Sequence, residues 1–250
     1  MQLGRQVSAA VAVASLLFIS GCLSTTLYET ARVCPPGTAE VTVASTPFFW
    51  RTESTRFVLE QWNRPGPELS ARMGLSKAFG VGVRLILAPG GCLTAKYQFL
   101  REPIDVALTG AAYAYMFVAA DAASGQLGTY GGLLASSEDP GHVPFSVQAI
   151  LRYDYQRVGS TFSGSYKSSV VGVSLGAGIP VRMDLGRSGA LRIQPAASVN
   201  LPLSWRYWDW TPPGDPWHDP GAVLPPTQDD DWRGVLTLDL GIGLSYITTR

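Results

Sequence analysis

The sequence is short of charge. Asp, Glu, Lys and Arg together make up 15% of the chain, only three residues are lysine (Lys77, Lys96 and Lys167), and 19 basic residues balance 19 acidic ones. With no basic cluster longer than a pair, the chain lacks the positive footprint that nucleic acid requires. It is also short of histidine: His142 and His218 are far apart in Pro/Gly-flanked segments, which argues against a histidine metal pair or a His-based triad. No metal and no cofactor are expected. A helical period is absent throughout, and the longest early apolar run, Val7 to Ile19, falls short of the about 20 residues a bilayer-spanning helix needs. Cysteine is scarce as well, at three residues.

What the chain does have is glycine (27), proline (18) and a 46% share of hydrophobic residues, the composition of many strands and turns. Chains of about 200–250 residues often form a single all-β domain, and 250 residues fit one. From Thr38 onward apolar and polar residues alternate with period two, the mark of strands with two unlike faces. Leu69, Ala71, Met73 and Leu75 oppose Ser70, Arg72, Gly74 and Ser76. Phe79, Val81, Val83 and Leu85 oppose Gly80, Gly82 and Arg84, and Leu93, Ala95, Tyr97 and Phe99 oppose Thr94, Lys96 and Gln98. Further runs at Ile104–Val118, Val143–Tyr155, Val170–Met183, Leu191–Ser204 and Val235–Ile247, with Thr38–Ser45 and Gly128–Ser137, bring the count to ten. Many exceed the usual soluble strand of about 5–6 residues and suit a tilted membrane strand of about 9–11.

These observations predict one all-β domain, a single antiparallel up-and-down β-barrel of about ten strands, with eight or twelve as alternatives. Short connections at Ser76–Phe79, Arg101–Pro103, Glu138–Gly141 and Asp184–Gly189 alternate with long ones at Thr46–Pro67, Ala119–Leu127, Gln156–Ser169 and Trp205–Arg233. Short turns on one side and long loops on the other are the outer-membrane pattern. Ala88–Gly91 is the exception, short where length is expected.

Arg5 followed by the run to Ile19 reads as a signal peptide. Its end, Ile19-Ser20-Gly21-Cys22, resembles the lipobox of bacterial lipoproteins, which implies acylation of Cys22. Leu23 is not the Asp that holds enteric lipoproteins at the inner membrane, so the resemblance implies sorting to the outer membrane. Several acyl chains anchor firmly, because each buried CH2 contributes about 0.8 kcal/mol. The expected organisation is residues 1–21 signal peptide, 22–37 lipidated tether and 38–250 barrel. As a whole the mature chain resembles the bacterial outer-membrane β-barrel proteins, most of all at Tyr28-Glu29-Thr30-Ala31-Arg32, the Gly-rich hairpin Met73–Val83 and Lys96-Tyr97-Gln98-Phe99-Leu100. The resemblance implies fold and an outer-membrane location far more than an activity.

If the apolar rows face lipid, the lumen receives Arg72, Arg84, Lys96, Arg152, Arg182 and Arg192 beside Glu40, Asp105, Asp154 and Asp239. A barrel of about 8–10 strands has room inside for side chains or one small ligand, and unpaired buried charges are costly. A plugged lumen of ion pairs is therefore the favoured reading, with a narrow anion-preferring channel beside it. The reverse arrangement, apolar rows inward, describes a tethered periplasmic barrel that binds a hydrophobic ligand. Aromatics crowd the last loop. Trp205, Tyr207 and Trp232 fit an interfacial girdle, whereas Trp208, Trp210 and Trp217 are candidates for contact with another envelope protein or a glycan. His218 with Asp219 and the run Asp229-Asp230-Asp231 read as a solvated acidic loop, with a divalent-cation site as the alternative. No His, Ser or Asp constellation of a membrane-barrel hydrolase is recognisable, and the chain is expected to be non-catalytic, with outer-membrane lipids as its partners. Cys34 and Cys92 invite a disulfide in an oxidising envelope, but the topology puts them at opposite ends of the barrel, beyond the about 7 Å that a disulfide spans.

Overall fold

A computed structural model describes residues 27–53, 56–58, 67–86, 90–119, 122–139, 143–160, 164–186, 189–211 and 236–248. Its strands are β1 (Ala39–Glu53), β2 (Arg56–Val58), β3 (Glu68–Gly74), β4 (Phe79–Ile86), β5 (Gly90–Leu100), β6 (Asp105–Ala119), β7 (Ala122–Ser137), β8 (Phe145–Ser160), β9 (Gly164–Gly178), β10 (Val181–Asp184), β11 (Ala190–Thr211) and β12 (Thr237–Ile247). With the short β2 and β10 set aside, neighbours in sequence pair antiparallel and β12 returns to β1, so ten strands close on themselves. β2 folds back on the end of β1, and β10 continues the line of β9 along β11 after Pro180. The expected ten-stranded barrel is the observed one.

Period-two alternation sorts side chains to two surfaces, as the pleat requires, and the two surfaces are inverted relative to a soluble protein. Outward positions are apolar and open: Leu93 is 67% exposed, Leu151 55% and Leu175 51%. Inward positions are polar and closed: Ser174 and Ser136 are 0% exposed and Gln194 1%. The arrangement with apolar rows inward, which a hydrophobic-ligand carrier requires, is therefore not the one adopted. Phe79, Tyr97, Phe99 and Tyr246 stand exposed on the outer wall near the short-turn end, where an interfacial aromatic girdle sits.

Two expectations about connections need correction. The segments Ala119–Leu127 and Gln156–Ser169 are not open loops: β6 and β7 stay paired to Ala119 opposite Ala122, and β8 and β9 to Ser160 opposite Gly164. Likewise β1 runs on to Glu53 and β11 to Thr211. Once a strand leaves an apolar band its outward positions no longer need to be apolar. The alternation fades while the cross-strand hydrogen bonds continue. The short turns stand where expected. The 184–190 turn closes with the Leu185 N–H donating to Gly189 O at 2.8 Å, and it uses Gly186 at φ +65° and Gly189 at φ +124°, a backbone region only glycine enters freely.

Candidate functional site: a plugged lumen

The segment expected to be a lipidated tether is, from Leu27 on, the inside of the barrel. It has no strand period, yet Leu27, Tyr28, Glu29, Thr30, Ala31 and Val33 are all buried. The segment runs from Leu27 and Tyr28, well up the lumen, down to the short-turn end, where Pro36 bridges Gly74. The Tyr28 hydroxyl bonds Thr46 Oγ1 at 2.6 Å and its ring lies over Gly241 and Gly243 of β12. A buried backbone needs partners for its N–H groups, and the wall supplies them from side chains. Leu27 N–H donates to Gln148 Oε1 at 3.0 Å, Ala31 N–H to Ser136 Oγ at 2.9 Å and Val33 N–H to Gln98 Oε1 at 3.0 Å. On one flank Leu27 and Ala31 join Ala107, Tyr113, Leu134 and Ile150 in a small apolar core.

Charge fixes the plug's register. The Glu29 carboxylate sits between Lys96 Nζ at 2.9 Å and Arg72 Nε at 3.2 Å. One turn of chain later Arg32 bonds Asp105 and Asp139, each at 2.8 Å. The Lys96 ammonium also donates to Thr30 O at 2.6 Å. Behind Glu29 the network continues: Arg72 reaches Glu40 at 3.3 Å, and Arg192 joins Glu40 to Glu138, the latter at 3.3 Å. Burial alone would raise the Glu29 pKa, but Lys96 and Arg72 outweigh it and hold the carboxyl below the usual range. Burial, reinforced by Glu40, pushes the Cys34 thiol up to about 11.

The remaining lumen candidates form smaller groups. Arg84 pairs with Glu68, an acid that the sequence reading did not single out. Asp154 accepts from Tyr113, from Gln126 Nε2 at 2.9 Å and pairs with Arg152 at 3.3 Å. Asp239 is held by Asn200 at 3.3 Å and Ser198 at 3.4 Å. Arg182 departs from expectation. It lies opposite Arg192 in register, but Pro180 has interrupted the strand and carried β10 to the rim, where Arg182 is exposed and pairs with Asp184 at 3.0 Å. Cys34 and Cys92 are both free thiols. No group of three metal-ligating side chains occurs among the described residues. Cys22, His142, Trp217, His218, Asp219, the run from Asp229 to Asp231 and Trp232 lie outside them, as do the side chains of Trp205, Tyr207, Trp208 and Trp210.

The depressed Glu29 pKa carries a prediction with a definite sign. A carboxyl lowered on folding stabilises fully above its unfolded pKa of about 4.3 and loses that contribution as pH falls through the folded value. Denaturant midpoints of the reconstituted protein should therefore stay level from pH 8 to about 5 and drop below about 4. Glu29→Gln should remove part of that drop. A midpoint that rises on acidification contradicts the ion-paired plug.

No family model and no curated protein matches the chain. Several solved structures align with it, two of which are the following. Ail, the attachment invasion locus protein of Yersinia pestis, is 13% identical over 85% of this chain and 99% of its own, with a TM-score of 0.32. The translocator domain of the autotransporter NalP from Neisseria meningitidis is 12% identical over 98% of this chain and 95% of its own, with a TM-score of 0.38. At such scores the architecture rests on the closed strand path itself.

Proposed function

We propose that this chain is an outer-membrane β-barrel lipoprotein, anchored through acylated Cys22 and serving a structural or partner-binding role without catalysis. The observation that carries the membrane reading is the inverted burial: a closed barrel whose outer wall is apolar and open and whose interior is polar, ion-paired and filled. In water such a wall would be an aggregation surface; in a bilayer it is the required one. The plug argues for a rigid scaffold, since the chain's own segment occupies the space a channel or ligand site would use. With the barrel as scaffold, contact with other envelope components falls to the long-loop end, where Trp208, Trp210 and Trp217 are the candidates in the sequence.

The test uses the full chain expressed with its leader. Membrane fractions should release the protein only with detergent, and it should run faster on SDS gels before boiling than after. Labelled palmitate should enter the wild type and not Cys22→Ala. A Cys22→Ala protein that stays folded and monomeric without detergent overturns the membrane barrel. Loss of label with retained heat modifiability is the expected pair of results, and label retained in Cys22→Ala overturns the lipid anchor alone.

A further inference from the structure

The direction of the plug bears on where a lipid anchor can sit. Read backwards from Pro36, which bridges Gly74 at the short-turn end, the chain climbs the lumen. It reaches Tyr28, whose hydroxyl meets Thr46, seven residues up β1 from Ala39, and Leu27, whose N–H meets Gln148 inside β8. Cys22 stands five residues before Leu27. The closed wall separates Leu27 from lipid on every side, so an acylated Cys22 reaches a leaflet only past one of the two rims.

The short-turn rim is taken. That section of the lumen holds residues 29–35 and their partners, with Glu29, Gln98, Asp105 and Arg192 all at most 4% exposed. A second pass of chain there would displace the Glu29–Lys96 and Arg192–Glu40 pairs. The long-loop rim is within reach. On β8 seven residues separate Gln148 from Tyr155, the last outward position before Arg157. That is a climb of about 16–19 Å for a strand rising about 3.3 Å per residue at a tilt of about 35–45°, and five extended residues span about 17–18 Å. One stretch of this rim is also low. β6 to β9 are 15 or 16 residues long, whereas β4 has 8 and β5 has 11, with three residues joining Ile86 to Gly90. This is the connection whose shortness breaks the alternation of turns and loops. Leu27 belongs to the same apolar cluster as Cys92 and Tyr115, which lie just inside the notch, and Leu85 and Leu93 are exposed on its outer face.

We propose that the N-terminus leaves the barrel at the long-loop end, over the low β4–β5 rim, and that the acyl chains of Cys22 lie in the leaflet on that side, against Leu85 and Leu93. This rests on the lipoprotein reading above. The plug is then the inner part of a lipid tether threaded through its own barrel, and the anchor and the short turns face opposite sides of the membrane. Acyl chains kept inside the polar lumen would forgo the burial that makes them an anchor. The lipid therefore holds the segment from above, and the ion pairs of Glu29 and Arg32 hold it from below.

The test uses full chains expressed in cells with their leader and fed labelled palmitate. One carries a protease recognition sequence inserted after Ser24, the other the same sequence after Lys77 in the short turn. Both should keep the heat-modifiable gel shift. Protease added to intact cells should strip the palmitate label from the barrel band of the first and leave the second uncut until the outer membrane is permeabilised. Cutting of both sites from the same side overturns the proposal, and so does a site after Ser24 that stays protected throughout. Should the insertion disturb folding, Ser24→Cys in a Cys34→Ser/Cys92→Ser background replaces it, read with a small membrane-impermeant maleimide. Reaction on intact cells is then expected, and reaction only after permeabilisation overturns the proposal. Absence of palmitate from both proteins overturns the lipoprotein reading, and the threaded anchor with it, while the heat-modifiable shift still reports the membrane barrel.

Discussion

Arg192→Leu is expected to cost the barrel about 3–5 kcal/mol of folding free energy, the range for removing one member of a buried ion cluster. The Arg192 side chain is 2% exposed, and it faces Glu40 and Glu138, at 5% and 2%. It also reaches Thr30 of the plug and Ser245 of β12, so one guanidinium ties wall, turn and plug together. Removing it leaves Glu138 without its cation and Glu40 with Arg72 alone. Arg192→Lys keeps the charge and loses the fork, and should cost less than half as much. Adding Glu138→Gln to Arg192→Leu should restore part of the loss, because the stranded carboxylate is then gone. Urea unfolding from lipid vesicles reads all three. An Arg192→Leu midpoint within error of wild type would show that the cluster is hydrated.

The second large effect lies at Tyr28. Its ring rests where β12 has no side chain: a Cβ at Gly243 would stand 2.7 Å from Tyr28 Cβ and 3.0 Å from two ring carbons, and one at Gly241 would collide with the hydroxyl. Tyr28→Ala should cost about 3–5 kcal/mol, the range for truncating a large buried aromatic. Gly243→Val should cost about 1–3 kcal/mol by overpacking. The informative result is their coupling. Tyr28→Ala removes the two ring carbons but keeps the Cβ that stands nearest, so the cost of Gly243→Val should fall in part, an interaction that a double-mutant cycle isolates. Strict additivity would place Tyr28 away from β12.

How much of this was legible in the sequence depends on what repeats. The wall repeats: Leu69/Ala71/Met73 against Ser70/Arg72 recurs strand after strand, so strand number, facing and the short turns follow from period two. The lumen charges follow from the same alternation, which is why Arg72, Arg84, Lys96, Asp105 and Arg192 could be placed before the structure. Arg182 shared their parity but lay past Pro180, where parity no longer means interior. Residues 27–34 repeat nothing. Their burial comes from partners up to 162 positions away in sequence, as with Thr30 and Arg192, and no local pattern encodes such contacts. Two weak signals were available in retrospect: Tyr28-Glu29-Thr30-Ala31-Arg32 mixes bulky apolar and opposite charges too richly for a tether, and Gly241 and Gly243 leave a gap on an inward row. The register shift of β11 between Pro202 and Ser204 was equally hidden, because the apolar positions Val199, Leu201, Leu203, Trp205 and Tyr207 follow one another through it in sequence with unbroken period two.

The central claim is that the apolar rows face lipid. It is tested most directly by placing a nitroxide spin label in turn at Leu93, Leu133 and Leu151, all outward positions, in a Cys34→Ser/Cys92→Ser background reconstituted in bilayers. Collision with dissolved oxygen and with a water-soluble nickel complex is then measured for each label. High oxygen and low nickel accessibility at all three sites is the predicted result. High nickel accessibility would put these rows in water, low accessibility to both would put them in a packed interior, and either outcome contradicts the membrane barrel.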